Sequence, residues 1–153
     1  MKFLIIGDLH GMMPELYFQS YEAILCVGDF CSDETRALEF EAMDKKEKWY
    51  DLCGKKVARE MVKKSLDSGR KVLEYLDSLD VPVYVVPGNG DWVYSDDEWK
   101  FLDKDYFNTF LMKDLKNVKN VHEKFVELDD ELALIGYGLN SGPEEGDNFS
   151  KNY

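Results

Sequence analysis

Three polar segments of the chain carry residue types that bind divalent metal ions. Asp8 and His10 stand two positions apart after one apolar run, Asp29 follows a second run and Asn89 follows a third. In an extended backbone, residues two apart point to the same side, which would bring Asp8 and His10 together. Carboxylate and imidazole donors suit a borderline cation such as manganese, iron or zinc. Asp29 could bridge two such ions with its two oxygens, and Asn89 could add a neutral amide oxygen.

Each of these residues also has an ordinary structural explanation. A Gly-Asp pair after a strand is usually a turn, and a single histidine is more often structural than a ligand. Asn89 before Gly90 is common turn chemistry. Their occurrence in order, after three successive apolar runs, favours one shared metal site over three unrelated turns.

The apolar runs that precede these segments occupy residues 3–6, 23–27 and 81–86. Short runs bounded by glycine or proline are typical of buried strands. Strands joined by long helical connections favour a parallel sheet, in which ligands bind beyond the carboxyl ends of the strands. The pattern therefore predicts an α/β fold that brings the three polar segments to one edge of a mostly parallel sheet.

A long helical stretch is predicted between the second and third strands, at residues 34–79. Asp33 could cap its start, and Gly54 and Gly69 could break or bend it. Apolar residues recur at helical spacing and should face the core; they are Val62, Leu66, Leu73 and Leu76.

Two further elements are predicted after the third strand. Ser95 and Glu98 form a capping-box pattern that predicts a helix beginning after Ser95. Residues 125–128 and 132–135 have the apolar character of two strands, and the polar residues between them predict a hairpin.

The composition excludes several classes of function. The net charge is −12, so the chain offers no strong basic patch for nucleic acid. Its three cysteines have no CxxC spacing, which argues against a disulfide framework or a cysteine zinc site. No apolar run approaches the about 20 residues of a membrane-spanning helix. We therefore expect a cytoplasmic protein that has no membrane partner and acts on small substrates.

The same segments carry a resemblance to a known family. Gly7-Asp8-Leu9-His10-Gly11, Gly28-Asp29-Phe30 with Asp33 close behind, and Gly88-Asn89-Gly90-Asp91 resemble the first three signature blocks of calcineurin-like metallophosphoesterases. The resemblance implies an αββα sandwich with two divalent metal ions, which could be manganese, iron, zinc or nickel. It implies that Asp8 and His10 bind the first ion, that Asp29 bridges and that Asn89 binds the second. The same four residues would form the catalytic centre, where a hydroxide held between the metals attacks phosphorus.

The chain departs from the family pattern in two places. Gly90 stands where many members carry a histidine that assists catalysis, and the later histidine blocks are absent, since the only histidines are His10 and His122. His122 lies too early for either block and is expected to be a surface or hairpin residue. We therefore expect residues 1–153 to form a single, C-terminally truncated domain with an incomplete sandwich. Residues 34–79 would be a helical insert that could restrict substrate size.

Three functions compete at this stage. The leading hypothesis is a metal-dependent phosphoesterase that hydrolyses a phosphodiester or a small phosphomonoester. The alternative is a non-catalytic protein-binding scaffold that has kept the fold, and an uncovered face of the sandwich would favour self-association. A nucleotide-binding module of Rossmann type is less favoured, because no GxGxxG follows the first strand and Asp8 would repel a phosphate unless a metal intervened.

Overall fold

The computed structural model describes residues 1–17, 20–95 and 97–139. Its centre is a sheet of four parallel strands in the order β1-β2-β3-β4. The strands are β1 (Phe3–Ile6), β2 (Ala23–Cys26), β3 (Val83–Val85) and β4 (Val118–Asn120). The mixed α/β class and the parallel sheet that the sequence predicted are thus confirmed, with the second and third strands slightly shorter than expected.

Three helices connect β2 to β3: α1 (Arg36–Lys45), α2 (Trp49–Cys53) and α3 (Lys55–Asp77). Gly54 separates α2 from α3 with a φ of +82°, so the predicted break at this glycine is confirmed. The predicted break at Gly69 is wrong, because α3 continues through it. A Cβ at Gly69 would lie 2.6 Å from the Cys31 sulfur, so this position serves close packing rather than chain reversal.

The start of α1 differs from the prediction. Thr35 occupies the N-cap position, and no side chain caps the helix. The carboxylate of Asp33 instead contacts the Arg36 guanidinium at 3.2 Å and the His10 ring at 3.0 Å. A capping residue would accept hydrogen bonds from backbone N–H groups of the first helical turn. The Asp33 carboxylate contacts the side chains of Arg36 and His10 instead.

The helix predicted after Ser95 is also wrong. Residues 98–104 form bends and turns, and one π-helical turn follows at Phe107–Leu111. The backbone N–H of Trp99 donates to the Asp97 carboxylate, and the Trp99 ring lies 5.0 Å from the Tyr50 ring of α2. Aromatic packing onto α2 and α3 has overridden the local capping signal here.

The two faces of the sheet are covered by different elements. On one face α3 packs against alternate side chains of the strands, and its own buried stripe includes the four predicted residues Val62, Leu66, Leu73 and Leu76. On the other face lies the antiparallel hairpin of β5 (Lys124–Glu127) and β6 (Ala133–Gly136), which confirms the predicted hairpin. Val126 and Leu134 of this hairpin pack with Tyr84 of β3.

The hairpin covers only part of its face of the sheet. Ile5 of β1 is 66% exposed and Val27, directly after β2, is 57% exposed. Within the three described ranges, no helix combines the length and apolar character needed to cross a membrane.

Candidate metal centre

The three polar segments meet at the carboxyl edge of the sheet. Asp8, His10 and Asp29 each offer a ligand atom, and these atoms all lie within 4.8 Å of one another. Asn89 is exposed and lines the same cleft. The structure therefore brings the four sequence-predicted residues to one place, with the first three in a single cluster.

The backbone of this cluster is held in an unusual conformation. Asp8, His10 and Asp29 have φ values of +53°, +45° and +56°. Non-glycine residues adopt this left-handed region infrequently, and such residues concentrate at functional sites. The first two loops also hydrogen-bond to each other: Asp8 donates its N–H to the Gly28 carbonyl at 3.2 Å, and His10 donates to the Asp29 carbonyl at 2.8 Å. These bonds fix the donor side chains relative to each other.

Gly28 allows the second and third loops to touch. Its φ is +96°, and a Cβ at this position would lie 2.2 Å from the Gly88 nitrogen. Any side chain would therefore push the Asp29 loop away from the loop that carries Asn89. The glycine that precedes Asp29 is required by this contact as well as by the turn.

The side chain of Asp91 hydrogen-bonds to the backbone of both the second and the third loop. Its side chain is completely buried and accepts four backbone N–H bonds, at 2.7 to 3.1 Å. The donors are Asp29, Phe30, Cys31 and Gly88. Burial raises the pKa of Asp91 to about 6, and the N–H bonds oppose that rise. Asp91 is thus a positioning residue for the candidate ligands. The third sequence motif includes Asp91, but the motif alone does not indicate this role.

His10 has a carboxylate partner behind it. The Oδ1 atom of Asp33 lies 3.0 Å from the His10 Nδ1, although the two are not aligned as a hydrogen bond. A carboxylate at one ring nitrogen is the usual companion of a metal-binding histidine, because it fixes the ring and leaves the other nitrogen for the metal. Asp33, which the sequence pointed to as a helix cap, therefore supports the candidate site.

Gly90 lies beside Asp29. Its backbone N–H donates to Asp29 Oδ1 at 2.9 Å and so orients that carboxylate. A Cβ at Gly90 would lie 3.2 Å from Asp29 Oδ1 and within 4 Å of no other described atom outside its own and the adjacent residues, so a side chain fits if that carboxylate shifts by a few tenths of an ångström. The absence of the family's histidine is thus not forced by crowding among the described residues.

The cluster opens into a cleft of about 820 Å³. Its charge is strongly unbalanced, because five acidic side chains line it and Arg36 is the only lysine or arginine among its described lining residues. The acidic residues are Asp8, Asp29, Asp33, Glu39 and Asp97. Such a cleft attracts cations and repels an unaccompanied phosphate.

The donor set fits a divalent metal ion. Ligand atoms at about 2.1 Å from one tetrahedral metal ion lie about 3.4 Å from each other. The Asp8, His10 and Asp29 donors, which lie within 4.8 Å of one another, would therefore move together by up to about 1.4 Å on binding. Two carboxylates and an imidazole are also the chemistry that manganese, iron and zinc accept.

His122 lies away from the cluster and has a structural role. Its Nδ1 accepts the N–H of Gly138 at 3.0 Å, and its ring lies 5.5 Å from the Tyr137 ring. The next residue, Leu139, donates to the Pro87 carbonyl at 2.8 Å. His122 therefore holds the segment after β6 against the third loop, at the rim of the cleft.

The buried cysteines lie in the core. Cys31 is 1% exposed and packs beneath Gly69, and burial raises the pKa of its thiol far above the usual range. Burial also raises the pKa of Cys26 to about 12. Neither thiol is available as a thiolate at neutral pH.

Comparison with known proteins agrees with the fold and the site. The chain matches the family described as metallophosphoesterase, calcineurin superfamily, over residues 5–151. It therefore belongs to the calcineurin-like metallophosphoesterase superfamily, as the three motifs predicted. A solved crystal structure is similar in fold, with a TM-score of 0.57 and 20% sequence identity over 90% of this chain and 53% of its own. The chain thus spans about half the length of that structure. No curated protein matches it.

Proposed function

We propose that this protein is a metal-dependent phosphoesterase that hydrolyses a phosphodiester or a small phosphomonoester with two divalent cations. The observation that carries the proposal is the cluster of Asp8, His10 and Asp29 donors within 4.8 Å, in a chain of the metallophosphoesterase superfamily. The cluster stands at the carboxyl edge of a parallel sheet, where such folds bind their ligands.

The charges of the cleft support a role for cations. A phosphate ester that approached Asp8, Asp29 and Asp33 alone would meet three carboxylates and the single guanidinium of Arg36. Divalent ions reverse this balance and turn the repulsive cluster into a phosphate site. The cations, when bound, would polarise the phosphoryl oxygens and lower the pKa of water.

Each residue has a distinct role in this proposal. Asp8 and His10 would hold the first cation, Asp29 would contribute to both, and Asn89 would offer its amide oxygen to the second. The N–H of Gly90 fixes Asp29 Oδ1 at 2.9 Å, so the shared carboxylate is oriented before any ion arrives. Preorganised donors of this kind cost no reorganisation during the reaction.

Gly90 also bears on the substrates that the enzyme can use. It has no side chain that could protonate a leaving group, and water would have to do so. Esters with acidic leaving groups should therefore react much faster than alkyl esters, with a steeper dependence on leaving-group pKa than in relatives that carry a histidine at this position.

The proposal is tested by hydrolysis of a chromogenic phosphodiester by the 153-residue chain with and without manganese. The test variant Asp29→Asn keeps an oxygen that can accept the hydrogen bond from the Gly90 N–H, but it removes the negative charge. We expect manganese-dependent turnover that Asp29→Asn abolishes and that the matched surface variant Asp67→Asn on α3 leaves unchanged. Turnover that survives in Asp29→Asn, or that needs no metal, would refute the assignment.

A scaffold role is the second candidate, and one observation favours it. Phe125 and Ile135 are cross-strand partners on the hairpin, and they are 62% and 75% exposed. Such a paired apolar surface suits contact with another protein or a second copy of the chain. A folded chain that neither binds manganese by calorimetry nor hydrolyses any ester, and that self-associates until Ile135→Glu is introduced, would favour this candidate.

A further inference from the structure

The helix α1 presents an unusual face to the cleft. Arg36, Glu39, Phe40 and Met43 follow the helical i, i+3, i+4, i+7 pattern, and all four line the cleft. Phe40 is 57% exposed and Met43 is 70% exposed, whereas Ala42 is the one buried residue of this helix. The two largest exposed apolar residues of α1, Phe40 and Met43, therefore line the cleft, whereas Ala42 is buried.

This face is connected to the candidate metal centre by a chain of contacts. Asp33 lies 3.0 Å from the His10 ring and 3.2 Å from the Arg36 guanidinium. The Arg36 guanidinium in turn lies 5.7 Å from the centre of the Phe40 ring. Charge is thus placed at the end of α1 next to the cluster, and apolar surface begins one turn further along the helix.

Two tryptophan side chains also line the cleft. Trp49 of α2 and Trp92 of the third loop both line it, and their rings lie 6.5 Å apart. This contact joins α2 to the loop that carries Asn89. The two tryptophan rings therefore form an aromatic wall of the same cleft that contains the metal-ligand cluster. Ligand sites commonly combine such apolar walls with a few placed polar groups.

We propose that this cleft selects phosphate esters whose leaving group carries an extended ring system, an inference that rests on the proposed phosphoesterase function. Arg36 contacts the phosphate side of the substrate, because a guanidinium offers five N–H donors to phosphate oxygens. Phe40 and Met43 contact the ring system. Arg36 and Met43 are seven positions apart and so lie about 10 Å apart along the helix, which sets the length of the leaving group that fits.

The test compares phenyl phosphate with biphenyl-4-yl phosphate, and the methyl diesters of both, in the presence of manganese. The two leaving groups have similar acidity but differ in length. We expect kcat/KM to be at least tenfold higher for the biphenyl esters, which corresponds to about 1.4 kcal/mol. The double variant Phe40→Ala, Met43→Ala should lower kcat/KM much more for the biphenyl esters than for the phenyl esters, so that most of the preference is lost.

Two controls make the comparison specific. Val57→Ala removes an apolar side chain that is 52% exposed and does not line the cleft, and it should leave the preference intact. Arg36→Gln should lower kcat/KM for both ester lengths by about tenfold or more without changing manganese affinity, and Arg36→Lys should restore part of the loss. Equal rates on the two lengths, or a preference that survives the double variant, would overturn the inference.

The failure of this inference can be told from the failure of the proposed function. Manganese-dependent turnover without a length preference refutes only the inference. If no ester is hydrolysed, binding of biphenyl-4-ylphosphonate and methylphosphonate is measured by calorimetry with manganese present. Tenfold tighter binding of the biphenyl compound, lost in the double variant, supports the ring site, and equal affinities refute it.

Discussion

Replacement of Asp91 by asparagine should loosen the candidate metal centre without touching a candidate ligand. The two carboxylate oxygens divide their four bonds equally: Oδ1 accepts from Phe30 and Cys31, and Oδ2 accepts from Asp29 and Gly88. An asparagine retains one acceptor oxygen and turns the other position into an NH₂ donor. Two buried backbone N–H groups therefore lose their acceptor, whichever way the amide is oriented.

The cost follows from these two lost bonds. A hydrogen bond to a charged group contributes about 1.5–3 kcal/mol, so two of them amount to about 3–6 kcal/mol. The neutral amide avoids the burial cost that raises the pKa of Asp91 to about 6, which offsets part of the loss. We expect a net fall of about 2 kcal/mol or more in the free energy of unfolding. For a chain of this size, the melting temperature should fall by about 4–8 °C.

The same change should weaken metal binding. The Asp91 carboxylate holds the Asp29 backbone at 2.8 Å and the Gly88 backbone at 2.8 Å, so both loops that carry candidate ligands lose an anchor. Loss of outer partners of a metal site typically lowers affinity about 10- to 100-fold. Calorimetric titration with manganese and thermal unfolding of Asp91→Asn measure both effects, with Asp67→Asn as the surface control. A melting temperature within 2 °C of the parent and an unchanged manganese affinity would refute the positioning role.

Three further substitutions test other parts of the structure. Asp33→Asn removes the charge behind His10 and should lower manganese affinity about tenfold, measured by calorimetry, while the melting temperature changes little; unchanged affinity would contradict the role. Gly69→Ala should destabilise the fold by about 1 kcal/mol, because overpacking against Cys31 exceeds the gain in helix propensity; denaturant unfolding measures it, and Cys31→Ala should relieve it. Gly90→His should raise kcat for esters with poor leaving groups by about 10- to 100-fold; a uniform change for all esters would argue against leaving-group protonation.

The strands and the meeting of the loops could be predicted because their signals are local. The apolar runs at residues 3–6 and 23–27 correspond to β1 and β2, and parallel pairing places the ends of those strands at one edge. The convergence of Asp8, His10 and Asp29 then follows from topology alone. The hairpin could also be predicted from the sequence, because its two apolar runs are separated by a short polar turn.

The helix expected after Ser95 shows where local signals fail. The capping pattern is present, but Asp97 is engaged with the Tyr50 hydroxyl at 3.1 Å and with the Trp99 N–H at 2.7 Å. Arg59 of α3 lies 4.8 Å from the centre of the Phe101 ring. The contacts of Tyr50 with Asp97 and of Arg59 with Phe101 join residues more than 40 positions apart in the chain, and a propensity argument does not include them.

The supporting residues of the site could not be predicted for a similar reason. The bond between Asp91 and the Phe30 N–H joins positions separated by 61 residues. Asp33 has the residue type and the place of a helix cap, and only the folded chain shows that it lies against His10. Motif spacing indicates which residues carry donor atoms, whereas the acceptors that position them depend on how the loops pack.

The geometry of the centre has a consequence for stability as well as for chemistry. Asp8 and Asp29 place like charges within 4.8 Å, on backbone held in the left-handed region, so the metal-free site opposes folding. Repulsion of this kind costs about 1 kcal/mol in bulk water and about 3–4 kcal/mol at the effective dielectric constant of a protein surface. Manganese binds the folded chain and should raise its melting temperature as its concentration increases. Asp29→Asn should therefore melt higher than the parent without metal and gain little from manganese. A variant that melts lower without metal, and that manganese still stabilises as strongly as the parent, would show that Asp29 supports the fold instead of holding a cation.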